Sequence, residues 1–156
     1  MGGLGKMKKM TAKEYLSQVG VLNSKINHKL KQLDDLKILA TCTGGGGNDG
    51  VRVQTSARGD KLASAVGNYV DLERDIEHDV ASYVAFKGKI IAEIYDIEAG
   101  DNTKLFIDIL MMRYIEFKRL EEIAVKTNLS YDYIRHQHGY ALMAFQKQYL
   151  TQDSTQ

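Results

Sequence analysis

The stretch LEEIAVKTNLSYDYIRHQHGYALMAF, residues 120–145, has the grammar of two short helices around a tight corner. Ile123 and Ala124 are an apolar-then-small pair, the combination that lets two helices cross closely. Asn128 stands where the chain must turn, and asparagine enters the left-handed backbone region more readily than any residue but glycine. Leu129 is expected to plug the turn into the core, Ser130 to cap the following helix, and Ile134 to be its first inward residue. If Ile134, Ala141, Leu142 and Phe145 face inward, Tyr131, Asp132, Arg135 and His136 project outward, with Tyr133 or Gly139 beside them. Exposed first turns of this kind are what a recognition helix offers to base edges in the major groove. Tyr, Arg and His can donate to base acceptors or phosphates, whereas Asp132 either repels phosphate or accepts from a cytosine amine.

Outward from the corner, the pattern reads as three short helices over 102–117, 120–127 and 130–149. Upstream lie two long seams. "TAKE" places Thr11 three residues before Glu14, a capping box, and apolar residues then fall at Tyr15, Val19, Leu22, Ile26, Leu30, Leu33 and Leu36. Steps of four and three face a partner helix, so a helix over 11–40 is expected. The second seam runs through Leu62, Val66, Tyr69, Ile76, Val80, Tyr83, Ile90, Ile94 and Ile97, with Asp60 as its cap and Gly100 as its stop; Lys87 and Gly88 interrupt the pattern, a place for a kink or a break. Neither helix can hide its stripe alone, which predicts an antiparallel hairpin. Between them, residues 41–60 hold four consecutive glycines and the turn signal Asn48-Asp49-Gly50. They read as a connector, with the strand-like alternation VRVQT inside it.

The fold class predicted is therefore all-α: a long antiparallel helical hairpin followed by a C-terminal three-helix helix-turn-helix module. Residues 1–10 read as a flexible leader, 11–100 as the hairpin with its Gly-rich loop at 41–60, 101–150 as the module and 151–156 as a tail.

Composition bounds the function. Hydrophobic residues make up 44% and charged residues 26% of the 156, with no proline and no tryptophan, so a packed helical core is affordable in surface terms. The single cysteine, Cys42, excludes an intrachain disulfide and a cysteine zinc cage. The opening MGGLGKMKKM has no apolar run of a secretory signal, and Lys6 stands where a myristoylation signal needs Ser or Thr. No run approaches the roughly 20 apolar residues of a membrane span, so the expected location is the cytoplasm with no membrane partner. Net charge is +1, but its distribution is uneven. Residues 1–40 hold 8 basic and 3 acidic side chains, residues 61–100 hold 4 and 8, and residues 101–150 hold 7 and 6. The basic first helix and acidic second helix suit each other as partners.

Other motifs read blandly. His136 and His138 are two apart and point to different helix faces, so no metal site is expected. TGGGGNDG lacks the Gly-Lys-Ser/Thr ending of a phosphate cradle. Asp71, Asp75 and Asp79 form an acidic row that reads as a solvated face. The tyrosines Tyr15, Tyr69 and Tyr83 sit on the seams and read as core. No nucleophile, base and orienter set supports an enzyme, and no cofactor is expected.

The 120–142 stretch resembles the fourth region of sigma factors, whose pattern runs through I-A and L-S to a hydrophobic residue and then A-L. MTAKEYL at Met10–Leu16, GDKLASAV with VDLE within Gly59–Glu73, and HGYAL at His138–Leu142 resemble phage transcriptional regulators of the ArpU and RinA type. The likeness runs from Met10 onward. It implies a phage-encoded, non-enzymatic regulator in a bacterial host cell that binds double-stranded DNA. Tyr131, Asp132, Arg135 and His136 would then lie nearest the bases, with Ser130 and Tyr133 also in the DNA-binding set, and Lys118, Arg119, Lys126 and Lys147 would contact the backbone. The chain departs from the family pattern where Asp132, Tyr133 and Tyr140 hold positions that are often basic, and where Gln137 replaces an apolar plug. A homodimer or higher homo-oligomer would double a small reading module. Two rival readings stay open: a protein-interaction module that binds RNA polymerase or another regulator, and a structural or assembly protein that oligomerises through its long helices.

Overall fold

The computed structural model describes residues 9–42 and 55–151. Within them the chain is helical, with α1 Ala12–Cys42, α2 Thr55–Tyr95, a 3-10 turn at Gly100–Asn102, α3 Thr103–Leu110, α4 Leu120–Thr127 and α5 Tyr131–Phe145. Both α3 and α5 widen at their C-terminal ends into π-helical turns, Met111–Ile115 and Gln146–Leu150. No strand occurs among the described residues, and no described helix is long and apolar enough to cross a membrane.

Local chemistry sets the helix ends. Thr11 Oγ1 accepts from the Glu14 amide at 3.2 Å while a Glu14 carboxylate oxygen accepts from the Thr11 amide at 2.9 Å, closing the capping box. α2 begins at Thr55, earlier than the seam suggests, so Asp60 lies inside the helix rather than capping it. α2 does not break at Lys87 and Gly88: it is continuous to Tyr95, because a single glycine costs about 1 kcal/mol and does not remove a hydrogen bond. Gly100 supplies a positive φ of 59° five residues after the α-helix has ended. Of the expected 41–60 connector, Thr41, Cys42 and residues 55–60 are helical, and the rest, with Val51–Gln54 of the strand-like alternation, lies outside the described residues.

Contacts divide the chain into two compact units. One joins the beginning of α1, through Val21, to everything from Ala85 onward; the other is Leu22–Val84. In the first, Leu16 and Val19 of α1, Ile90 and Ile94 of α2, Ile97, and Phe145 of α5 are sealed from solvent. The Tyr15 ring lies 5.9 Å from those of both Phe86 and Phe145, and its hydroxyl donates to Glu93 at 3.0 Å. Burial, reinforced by that carboxylate, pushes the Tyr15 phenol up to about 12. A second cluster of Ile109, Met112, Ile123, Ala124 and Ile134, flanked by Leu105 and Leu120, packs α3, α4 and α5 together.

In the Leu22–Val84 unit, α1 and α2 run in opposite directions. Lys25 Nζ lies 3.1 Å from Asp79, and Lys29 Nζ lies 3.1 Å from Asp75 and 2.6 Å from Asp79. The row read as a solvated acidic face is thus largely an interhelical clasp, and the Asp79 side chain is only 14% exposed. Hydrogen bonds from Lys29 and Lys25 hold the Asp79 carboxyl below the usual carboxylate range. Ile26 and Ile76 fill the seam between the helices.

The corner between α4 and α5 is a Schellman turn. Asn128 adopts φ 55° and ψ 35°, its amide donates to Val125 O at 3.3 Å, and the Leu129 amide donates to Ala124 O at 3.1 Å. Leu129 contributes that amide, but its side chain is 37% exposed and does not plug the core as expected; Ile123, Ala124 and Ile134 have already filled the space beneath the turn. Replacing Asn128 by glycine should leave stability unchanged or slightly higher. Asn128→Val should lower it by about 1–2 kcal/mol, because a β-branched residue pays the full left-handed penalty. Urea unfolding of the two variants measures the difference.

Candidate nucleic-acid interface

Three devices position α5. Ser130 has extended backbone, and its Oγ accepts from the Tyr133 amide at 3.2 Å, so the helix starts where the sequence places its cap. Ile134, Ala141 and Phe145 are fully buried along one face, and Leu142 is half-buried beside them. The third device is a pair of rings that the sequence reading left unassigned. Tyr114 Oη and His138 Nε2 lie 3.0 Å apart with the rings stacked at 27°.

That pair is kept neutral. Burial, with Arg113 and Lys13 nearby, pushes His138 down to about 4, and burial pushes Tyr114 up to about 12, against the opposing charge of Arg113. A neutral imidazole accepts and the phenol donates, so the two sides agree. Gln137, at the position of the missing apolar plug, is half-buried with Oε1 enclosed and no hydrogen-bond partner. At the far end, the π-turn adds polar contacts to the start of α1 and to the residues just past α2. Gln146 Oε1 accepts from the Ala12 amide at 3.1 Å, Gln148 Oε1 accepts from the Glu98 amide at 3.1 Å, and Tyr149 donates to Asp96 at 2.7 Å.

With its inner face used, α5 turns the rest outward. Tyr131 is 44% and Tyr133 43% exposed, and Asp132, Arg135 and His136 are exposed with them. Arg135 Nη2 lies 3.6 Å from Asp132 Oδ1, and the His136 Nδ1–H donates to the Asp132 carbonyl at 2.6 Å. His136 and His138 therefore serve different faces, one solvent-facing and one against Tyr114. Gly139 is half-buried rather than projecting.

The cations expected on the backbone divide into groups. Lys118 and Lys126 both turn to Glu116, Lys118 in a direct ion pair and Lys126 at 3.8 Å. The Lys118 hydrogen bond holds the Glu116 carboxyl low and raises Lys118 in return, while the neighbouring Lys118 amine pushes Lys126 down. Arg119 precedes α4, where its amide donates to Glu122 at 2.7 Å and its guanidinium lies 3.9 Å from the same carboxylate. Lys147 is exposed but sits about three turns beyond Arg135, away from the other cations. Glu116 went unnoticed in the sequence, as did Phe117, a non-glycine residue at φ 57° that closes the π-turn through Lys118 N donating to Met112 O at 2.9 Å. The EFKR run carries no glycine or asparagine to announce that left-handed turn.

Among the described residues no group of His, Cys, Asp or Glu is arranged to hold a metal. Comparison with protein-family models, curated proteins and solved structures finds no match for this chain.

The His138–Tyr114 pair gives a pH dependence of defined sign. An unfolded histidine titrates near 6.5 and the folded one near about 4, so between those values the unfolded chain binds the extra proton. The stability from this site is complete above that window and falls as pH drops through it. Thermal melts from about pH 6.5 down to about pH 4 should show a steeper loss for the wild type than for His138→Gln, whose side chain has no proton to gain.

Proposed function

We propose that this chain is a sequence-specific DNA-binding transcriptional regulator, phage-encoded and of the ArpU and RinA type, that reads the major groove with α5. The fold that goes with this reading is a long antiparallel helical hairpin followed by a C-terminal three-helix module. The observation that carries it is the division of labour along α5: Ile134, Ala141 and Phe145 are buried while Tyr131, Asp132, Tyr133, Arg135 and His136 are exposed in the first turns. A polar, cationic and aromatic set at a helix N-terminus is what base edges and flanking phosphates require. Ser130 caps that end, Lys126 stands in the last turn of α4 just before the corner, and Lys118 and Arg119 precede α4.

The pairing of these cations has a consequence for affinity. Glu116, Glu122 and Asp132 each neutralise a neighbour, so phosphates must displace carboxylates before they gain a contact. Binding is therefore expected to be modest for a single module, with a shallow salt dependence.

Selection of bound sequences from random duplex DNA, followed by anisotropy titration, tests the reading. Arg135→Ala should cost about 1–3 kcal/mol on the selected site and relax preference at one position. Lys126→Ala should weaken binding uniformly across sequences and reduce the salt slope by about 1. Asp132→Asn should bind non-specific DNA more tightly, because a phosphate-repelling charge is gone and Arg135 is released from its ion pair. A well-folded, monodisperse protein that enriches no sequence and binds no duplex at low salt would sink the proposal.

A second reading has its own observation. Val125 is 79% exposed on α4, and Tyr140 and Met143 are 54% and 68% exposed on α5, an apolar set that DNA does not need. These residues favour a protein partner such as RNA polymerase, and Val125→Asp or Met143→Asp would weaken such a complex without changing binding to isolated DNA.

A further inference from the structure

The Leu22–Val84 unit hides little of its own apolar surface. Among its described residues Ile26 and Ile76 are buried, yet Leu30, Ile38, Val66, Val70, Val80 and Val84 remain between 39% and 62% exposed. A hairpin of two helices has a seam but no core, and a unit of this size ordinarily needs more burial than one seam provides.

The exposed residues on α2 are ordered. Val66, Val70, Glu73, Glu77, Val80 and Val84 follow each other in steps of four and three, a second seam. At about 100° per residue it lies roughly 80° around the helix from Ile76. Asp75 and Asp79, which clasp Lys25 and Lys29, lie a similar angle the other way. One flank of the hairpin is thus closed by ion pairs, and the opposite flank presents valines around two glutamates. On that same flank α1 carries Asn27, Lys31, Asp34 and Ile38.

We propose that a second copy of this chain docks on the valine flank, related by a two-fold axis along the helices, so that α2 of each copy lies against α1 of the other in an all-antiparallel four-helix bundle. Charge and register identify the occupant. The Lys25–Asp79 and Lys29–Asp75 pairs set the heights within the hairpin, which places Lys31 level with Glu73, Asn27 with Glu77 and Ile38 with Val66. A two-fold along the helices preserves height. It therefore brings Lys31 of one copy to Glu73 of the other, and Ile38 to Val66. Among the described residues Lys31, Glu73 and Glu77 form no ion pair within their own chain, so these charges are available to a partner. Packing α2 on α2 would instead oppose glutamate with glutamate. The inference uses only the Leu22–Val84 unit and stands apart from the reading of α5; its test reads assembly and not DNA.

Sedimentation equilibrium of the full chain from micromolar to near-millimolar concentration should show a monomer–dimer equilibrium. Val70→Glu combined with Val84→Glu alters side chains already exposed in one copy. It should weaken the dimer about tenfold or more while far-ultraviolet circular dichroism stays helical. Glu73→Lys should weaken the dimer, and adding Lys31→Glu should restore it. If the valine variant loses helix, the charge exchange alone decides. A monomer at every concentration, a dimer indifferent to the valine changes, or a dimer strengthened by Glu73→Lys overturns the proposal.

Discussion

Helix α5 can bury only one face, and Ile134, Ala141 and Phe145 fill its centre, with His138 and Leu142 half-buried beside them. Everything distinctive about the C-terminal part of the chain depends on that constraint. Because the inner face is filled, the first turn has nowhere to put Tyr131, Asp132 and Arg135 except solvent. Because Ser130 caps the helix and Asn128 turns left-handed before it, the start of α5 is fixed to within a residue. The stacked Tyr114–His138 pair then limits rotation of the helix about its own axis. A hydrogen bond between two neutral groups is specific in geometry without the desolvation cost of an ion pair.

The same helix ties the C-terminal segment to the start of α1 and the end of α2. Gln146 satisfies an orphan amide at the start of α1, Gln148 satisfies one just past α2, and the Tyr149 ring packs on Phe145 at 5.0 Å. Widening of the last turn into π geometry brings these three polar side chains within reach. The exposed first turns of α5 therefore belong to a helix held by polar contacts at one end and an apolar cluster at the other. Such support keeps side chains in place before a ligand arrives.

Electrostatics in the two units follow different logic. Along α1 and α2 the charges are segregated by helix and meet as Lys25, Lys29, Asp75 and Asp79, which selects the pairing while Ile26 and Ile76 supply the burial. Around α4 and α5 the charges are mixed at short range, and Lys118, Arg119, Lys126 and Arg135 each lie beside a carboxylate. The first arrangement helps decide which helix lies against which; the second tempers a surface that would otherwise be strongly basic.

What the sequence determined by itself is the local grammar. Thr11 with Glu14 and Asn128 before Ser130 are contacts within a few residues, so spacing alone specifies them; the two seams were legible only in part, since Leu30, Val66 and Val80, read onto them, are exposed. The burial of Ile134, Ala141 and Phe145 was legible for the same reason, since one turn of α5 predicts the next. Tertiary structure alone decided the rest. The α-helical part of α2 ends before Gly100 and passes Gly88 without a break, because packing of Ile90 and Ile94 outweighs one glycine. The sequence divides the chain near residue 100, whereas packing gathers the beginning of α1 with the last turns of α2 and the three short helices. Leu129 lies outside the core because its neighbours had filled the space. Glu116 gathers Lys118 and Lys126, and Tyr114 finds His138 from 24 residues away. These are contacts between side chains distant in sequence, and no periodicity encodes them: they exist only once the helices have crossed.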